Sequence, residues 1–208
     1  MDAEVTSDDH TPKIWDWQRA IGNEERTALI GHTSEVTACA VSPDGTWIVS
    51  ASGDKTLKIW DAAAGTERTT LTGHTGPVTA CAVSPDGTWI LSASNDKTLK
   101  IWDAATGTER TTLTGHTGPV YACAVSPDGT WVLSASSDKT LKIWDAATGT
   151  ERTTLTGHTG PVWACAVSPD GTWIVSASFD HTLKIWDVAA GTERTTSPAT
   201  ATRWGRVR

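Results

Sequence analysis

Residues 73–114 read GHTGPVTACAVSPDGTWILSASNDKTLKIWDAATGTERTTLT, and residues 115–156 repeat them with three changes, Thr79/Tyr121, Ile90/Val132 and Asn95/Ser137. Further copies begin at Gly31 and Gly157, so the period is 42 residues. A strict period of this length belongs to chains built from stacked supersecondary units, each too small to bury its own apolar surface. The period therefore decides the fold class before any single residue does. Where the copies agree, they define a scaffold. Where they disagree, they offer the best lead to function.

Each copy carries four strand signals. In the first copy Val36–Val41 is apolar, with an alternation broken enough to predict a bulge. Ser42-Pro43-Asp44-Gly45 supplies a tight turn, and Trp47–Ser52 reads as a second strand. After the turn at Gly53-Asp54-Lys55 comes a third strand, Thr56–Trp60. The turn 61–65 leads to a fourth, Glu67–Leu71, whose Thr-rich, charged pattern suits an outer edge. Four short antiparallel strands make one small sheet, and stacking such sheets face to face buries what each leaves exposed.

Composition narrows the function classes. The chain has 208 residues and a net charge of −7, which argues against general affinity for nucleic-acid backbones or anionic membranes. No apolar run approaches a membrane span, and the acidic start MDAEVTSDDH is the opposite of a secretory signal. Cys39, Cys81, Cys123 and Cys165 occur once per copy at the same place. That pattern predicts small core residues in a reducing cytoplasm rather than a disulfide framework or a metal site.

The GH dipeptide, the SPDG turn, the SxSxD turn and the terminal WD recur together four times. In this the chain resembles the WD-repeat propeller family over roughly residues 9–196. The resemblance implies an all-β propeller whose blades run a, b, c, d from central channel to rim, with strand d just before the next GH. It gives four blades, 31–72, 73–114, 115–156 and 157–196, preceded by a strand d at 26–30. Residues 1–24 read as the remnant of a partial repeat. Asp9 to Asp16 align with Asp180 to Asp187, a relic of strand c in which Pro12 replaces Leu. The link from Trp15 to Gly31 is three residues longer than its later counterparts. After Thr196 the expected LTGHTG becomes SPATATRWGRVR. Codons for Leu-Thr-Gly-His read one base late begin Ser-Pro-Ala, so residues 197–208 are read as the product of a frameshift that cut a longer array. The alternative is an ordinary tail.

Each copy holds a His, a Ser and an Asp, which invites a hydrolase reading. The sets are His32/Ser50/Asp54, His74/Ser92/Asp96, His116/Ser134/Asp138 and His158/Ser176/Asp180. The resemblance implies instead that each joins the Trp of its WD (Trp60, Trp102, Trp144 and Trp186) in a structural tetrad. A catalytic triad is recognised by an exposed nucleophile and defined roles, and neither is indicated. Single histidines spread over separate repeats make a poor metal set, and no phosphate-binding glycine loop is present. No catalytic residue, metal or cofactor is expected. Trp47, Trp89, Trp131 and Trp173 follow the SPDG turn in every copy, and packing between blades is preferred to a binding ring.

Three positions per copy vary more tellingly. They hold Glu35, Pro77, Pro119 and Pro161; Thr37, Thr79, Tyr121 and Trp163; and Gly53, Asn95, Ser137 and Phe179. The resemblance implies that these positions lie on the face carrying the d–a and b–c loops, where such proteins dock peptides and proteins. Aromatics accumulate there toward the last copy, and Trp, Tyr and Phe are common interface anchors. Neutral drift is the rival reading, weighed against the solubility cost of exposed aromatics.

Blades of this family fit rings of seven or eight, so four blades would leave two apolar faces open. The economical solution is a homodimer forming an eight-bladed ring, in which strand 26–30 of one chain completes the last blade of the other. The chain's own candidate, Glu193–Thr196, lacks the Leu of the other d strands and is disfavoured. A single four-bladed ring or a ring of three chains is the alternative. The expected function is a non-enzymatic scaffold for an unidentified protein or peptide. A truncated fragment with only a structural role, or a hydrolase using His158, Ser176 and Asp180, are the competing readings.

Overall fold

A computed structural model describes residues 13–15 and 25–198. The short strands β1 (Lys13–Trp15) and β2 (Glu25–Ala28) pair antiparallel in a two-stranded sheet. The first blade follows as β3 (Val36–Val41), β4 (Trp47–Ser52), β5 (Leu57–Asp61) and β6 (Glu67–Leu71). The second is β7 (Val78–Val83), β8 (Trp89–Ser94), β9 (Leu99–Asp103) and β10 (Glu109–Leu113). The third is β11 (Val120–Val125), β12 (Trp131–Ser136), β13 (Leu141–Asp145) and β14 (Glu151–Leu155). The fourth is β15 (Val162–Val167), β16 (Trp173–Ser178), β17 (Thr182–Asp187) and β18 (Thr192–Pro198). Each blade is a four-stranded antiparallel sheet whose strand order in space is its order in sequence. Strands β3, β7, β11 and β15 lie against one another in succession, so the sheets fan out from a line of first strands.

Local chemistry accounts for these elements. The predicted bulge in the first strand is present: Val36 pairs with Ser52 but Ala38 with Ala51, leaving Thr37 as the extra residue. In the SPDG turn the Ser42 hydroxyl and the Thr46 amide both donate to Asp44, and Gly45 takes φ of 70°, a left-handed conformation that glycine adopts without strain. At the WD end, Asp61 accepts from the amides of Ala63 and Ala64 and from Arg68 of β6, at 2.8 Å for the last. One aspartate thus closes the turn and fixes the outer strand.

The core lies between blades. Trp131, Leu133, Ala135, Leu141, Ile143 and Leu155 of the third blade pack on Val162, Ile174 and Trp186 of the fourth. The same nine positions recur at the two earlier joints. The first tryptophan of the first three copies is part of these clusters, with Trp47 and Trp89 8% exposed and Trp131 6%, while Trp173 of the last copy is half-buried. That supports packing over a ring of binding aromatics. The cysteines are free and half-buried rather than fully buried, and burial pushes the Cys165 thiol up to about 12.

One expectation is corrected for the single chain. Its last blade does not lack an outer strand, because β18 pairs along β17 over Thr182–Asp187. A β ladder is made by backbone N–H and C=O groups, so Ser197 in place of Leu does not prevent pairing. Strand β2 meanwhile pairs with β1 of its own chain. The remnant's residues 9–12 and 16–24, and the tail residues 199–208, lie outside the described residues, so the relic is described only at Lys13–Trp15.

Candidate functional site

The four tetrads are assembled as the resemblance implied. In the first, His32 Nδ1 lies 2.8 Å from Asp54 Oδ2 and Nε2 lies 2.7 Å from Ser50 Oγ. Trp60 Nε1–H donates to the same Oγ at 2.8 Å. The chain of bonds is consistent only if Nδ1–H donates to the carboxylate and Ser50 donates to Nε2. The His74, His116 and His158 sets repeat these bonds between 2.7 and 2.9 Å. Burial alone would raise the Asp54 carboxyl, but hydrogen bonds from Thr56, His32 and Thr33 outweigh it and bring its pKa down to about 2. Asp96 is held at about 2 by the equivalent partners. Burial lowers the pKa of His32 and His74 against the pull of their aspartates, so both stay neutral near pH 7.

This geometry does not fit a nucleophile. Ser50, Ser92 and Ser134 are 0% exposed and Ser176 1%. Each hydroxyl already accepts from a tryptophan and faces a histidine, so no substrate carbonyl could reach it. Among the described residues no buried side-chain nitrogen or oxygen lacks a partner. Such a fully satisfied network ties the a-side loop, strand b and strand c of one blade together. Among the described residues no His, Cys, Asp and Glu group is placed to hold a metal.

The variable positions form a second constellation. The amides of Gly53, Asn95, Ser137 and Phe179 each donate to the carbonyl of Glu35, Pro77, Pro119 and Pro161 respectively, at 2.9 Å. Two of the three predicted positions per blade are therefore direct neighbours. In the first blade the Glu35 carboxylate lies 2.5 Å from where a Cβ on Gly53 would stand, so it fills the space that a side chain takes in the other blades. The third position faces sideways. Thr37 Oγ1 donates to Val78 O, and Thr79 Oγ1 to Val120 O, each at 2.6 Å in the next blade. These two threonines tie blades together, a role the sequence reading did not give them.

Tyr121 takes the same sideways course and stacks on Trp163 of the next blade, with ring centres 4.3 Å apart and planes 7° apart. Phe179 then meets Trp163 edge to face at 4.6 Å. Trp163 is 45% exposed and Phe179 56%. The structure thus gathers three predicted site residues into one aromatic ladder and leaves Glu35, Pro77, Pro119, Asn95 and Ser137 spread over the other blades. Beside the ladder lies an open hollow lined by Trp163, Ala177, Ser178, Phe179 and His181. His181 stands where the other copies have Lys55, Lys97 and Lys139, all with φ near +70°. The sequence reading passed over it, although the substitution from Lys to His after a constant aspartate was visible.

Radially stacked four-stranded blades, each locked by a His-Ser-Asp-Trp network, define a propeller-type repeat protein. The chain belongs to the WD-repeat family: the family described as WD domain, G-beta repeat matches residues 23–61, 65–103, 107–145 and 149–187. Each match starts around an outer strand and ends at the aspartate of a WD, so the family's repeat is offset from the blade by one strand. The chain is similar to human WD repeat-containing protein 97, 45% identical over 67 residues that make up 31% of this chain and 4% of that protein. It is also similar to MST50-interacting protein 11 of Pyricularia oryzae, 42% identical over 29% of this chain and 20% of that protein. A third relative is a Notchless protein homolog of Arabidopsis thaliana, 42% identical over 28% of this chain and 12% of that protein. The alignments therefore span a fifth or less of these relatives' length.

Proposed function

We propose that the chain is a non-enzymatic interaction scaffold whose ladder of Tyr121, Trp163 and Phe179 docks a protein or peptide, with the propeller completed by a second copy into an eight-bladed ring. The observation that carries the docking reading is the half-exposed Trp163 and Phe179, pre-packed against each other. Rigid aromatics lose little entropy on binding and bury much area. WD-repeat proteins in general act as platforms for other proteins, which supports the same reading. The free cysteines suit a reducing cytoplasm. Ring completion is supported by the last blade, where Leu183 is 44% exposed while its counterpart Leu141 is 0%. A purely structural fragment would not call for aromatics gathered in one place.

The docking test is affinity capture from the source cells with the wild type and a Trp163→Ala/Phe179→Ala variant. A partner retained by the wild type and lost by the variant is expected. Equal capture by both proteins would show that the ladder is not the docking site.

A further inference from the structure

We infer that two copies join head to tail, the last blade of each seating on the first blade of the other, with strand β2 changing partners in the process. This rests on the two-chain ring proposed above and specifies how its seams are built.

The internal joints provide the template of six residues from one blade and three from the next. At the chain's ends the same joint appears split in two. The last blade presents Trp173, Val175, Ala177, Leu183 and Ile185, the counterparts of five residues buried in the third blade, and here all five are half-buried or exposed. The first blade presents Val36, Ile48 and Trp60, the counterparts of Val162, Ile174 and Trp186. Leu29, just after β2, is already seated on Ile48 and Trp60. It is the counterpart of Leu155, the one position the last blade lacks, since β18 has Ser197 there. The two ends together supply all nine positions, each once.

The hollow beside the ladder has its own match. At the internal joints Val78, Val120 and Val162 are 0% exposed and pack in the clusters that hold Ala51, Ala93 and Ala135. Ala177 lines an open hollow with Trp163, Ser178, Phe179 and His181, and no valine is among the residues that line it. Val36 is the equivalent valine that stays half-buried, and it fits that hollow as a knob fits a socket. Trp163 then reaches toward Thr37 of the second copy, as Thr79 reaches toward the third blade. Phe179 stands where the earlier copies have Gly53, Asn95 and Ser137, which distinguishes the seam from the three internal joints and pins its register.

The rim holds one outer strand, so β2 and the second copy's β18 compete for the edge of β17. In the first blade Leu57 pairs with Leu71. Strand β2 with Leu29 restores that pair opposite Leu183, whereas β18 offers Ser197. Within one chain β2 is held by the three residues of β1, and β18 covers β17. Both are occupants that the seam displaces. The last blade therefore needs no missing strand for joining, only an exchange.

The test is a mixing experiment on the full chain by light scattering. The wild type should give twice 22.0 kDa. Val36→Glu blocks only the head face and Leu183→Glu only the tail face, and both sites are already accessible in the single chain. Each variant alone should be monomeric, since every seam contains one head and one tail. Mixed together they should regain dimer mass through one intact seam, which also shows that both are folded. A monomeric wild type would sink the ring and the seam together. A dimeric wild type whose two variants stay dimeric would leave the dimer standing and overturn the head-to-tail seam. For the exchange, chains carrying Leu29→Cys and Leu183→Cys are mixed under mild oxidation. A covalent pair on a denaturing gel is expected, and its absence from a mixture of dimer mass would rule the exchange out.

Discussion

Ser92 shows how one hydroxyl can settle a choice between chemistry and architecture. It accepts from Trp102 at 2.8 Å, faces His74 at 2.8 Å and is fully buried, so its atoms are spent on holding the blade. Replacing Ser134, its equivalent, by Ala leaves the Trp144 N–H and the His116 ring nitrogen without their partner. Each unpaired buried group costs about 1–3 kcal/mol, so Ser134→Ala should lower the denaturant midpoint clearly without touching any surface. Acid should act through the same networks, in two stages. His74 has a folded pKa below its ordinary 6.5, so the unfolded chain binds a proton first and stability falls as pH drops below that value. Asp54 and Asp96 are held at about 2 against an ordinary 3.8, so their contribution is present above about pH 4 and is lost as pH falls toward 2. Urea unfolding at pH 7, 5 and 3 should give successively lower midpoints, and a flat profile would contradict this account. The tetrad residues were legible in the sequence because spacing and resemblance named them. The sideways reach of Thr37 and Thr79 was not, because it depends on the placement of a neighbouring blade.

At the scale of strands, period and turn chemistry were enough to place nearly every element. The bulge at Thr37, the SPDG turn and the outer strand Glu67–Leu71 all follow from local rules. The third strand starts at Leu57 rather than Thr56, because the Thr56 carbonyl accepts from Ser52 in closing the turn. The outer strand of the last blade, disfavoured from sequence because Glu193–Thr196 lacks the leucine of the other d strands, forms in the single chain, since backbone pairing needs no particular side chain. Leu183, which lies opposite Ser197 in this ladder, stays 44% exposed, whereas its counterpart Leu141 is packed against the next blade.

At the scale of the whole molecule, Leu141 and Leu183 form a natural pair of probes. They occupy the same position in successive blades but are 0% and 44% exposed in the single chain. Leu141→Ala should cost about 2–5 kcal/mol by leaving a cavity. Leu183→Ala should cost a similar amount at concentrations where the ring forms and well under half of that in a monomer, which thermal unfolding over a dilution series can read. Equal, small effects of Leu183→Ala at all concentrations would place that face in water. The sequence alone determined the repeat, the four-stranded blades, the tetrads and the family, because each is set by contacts within one period. Only the tertiary structure decided which variable residues meet. Tyr121, Trp163 and Phe179 become one ladder, because those relations span blades and depend on how sheets stack in space.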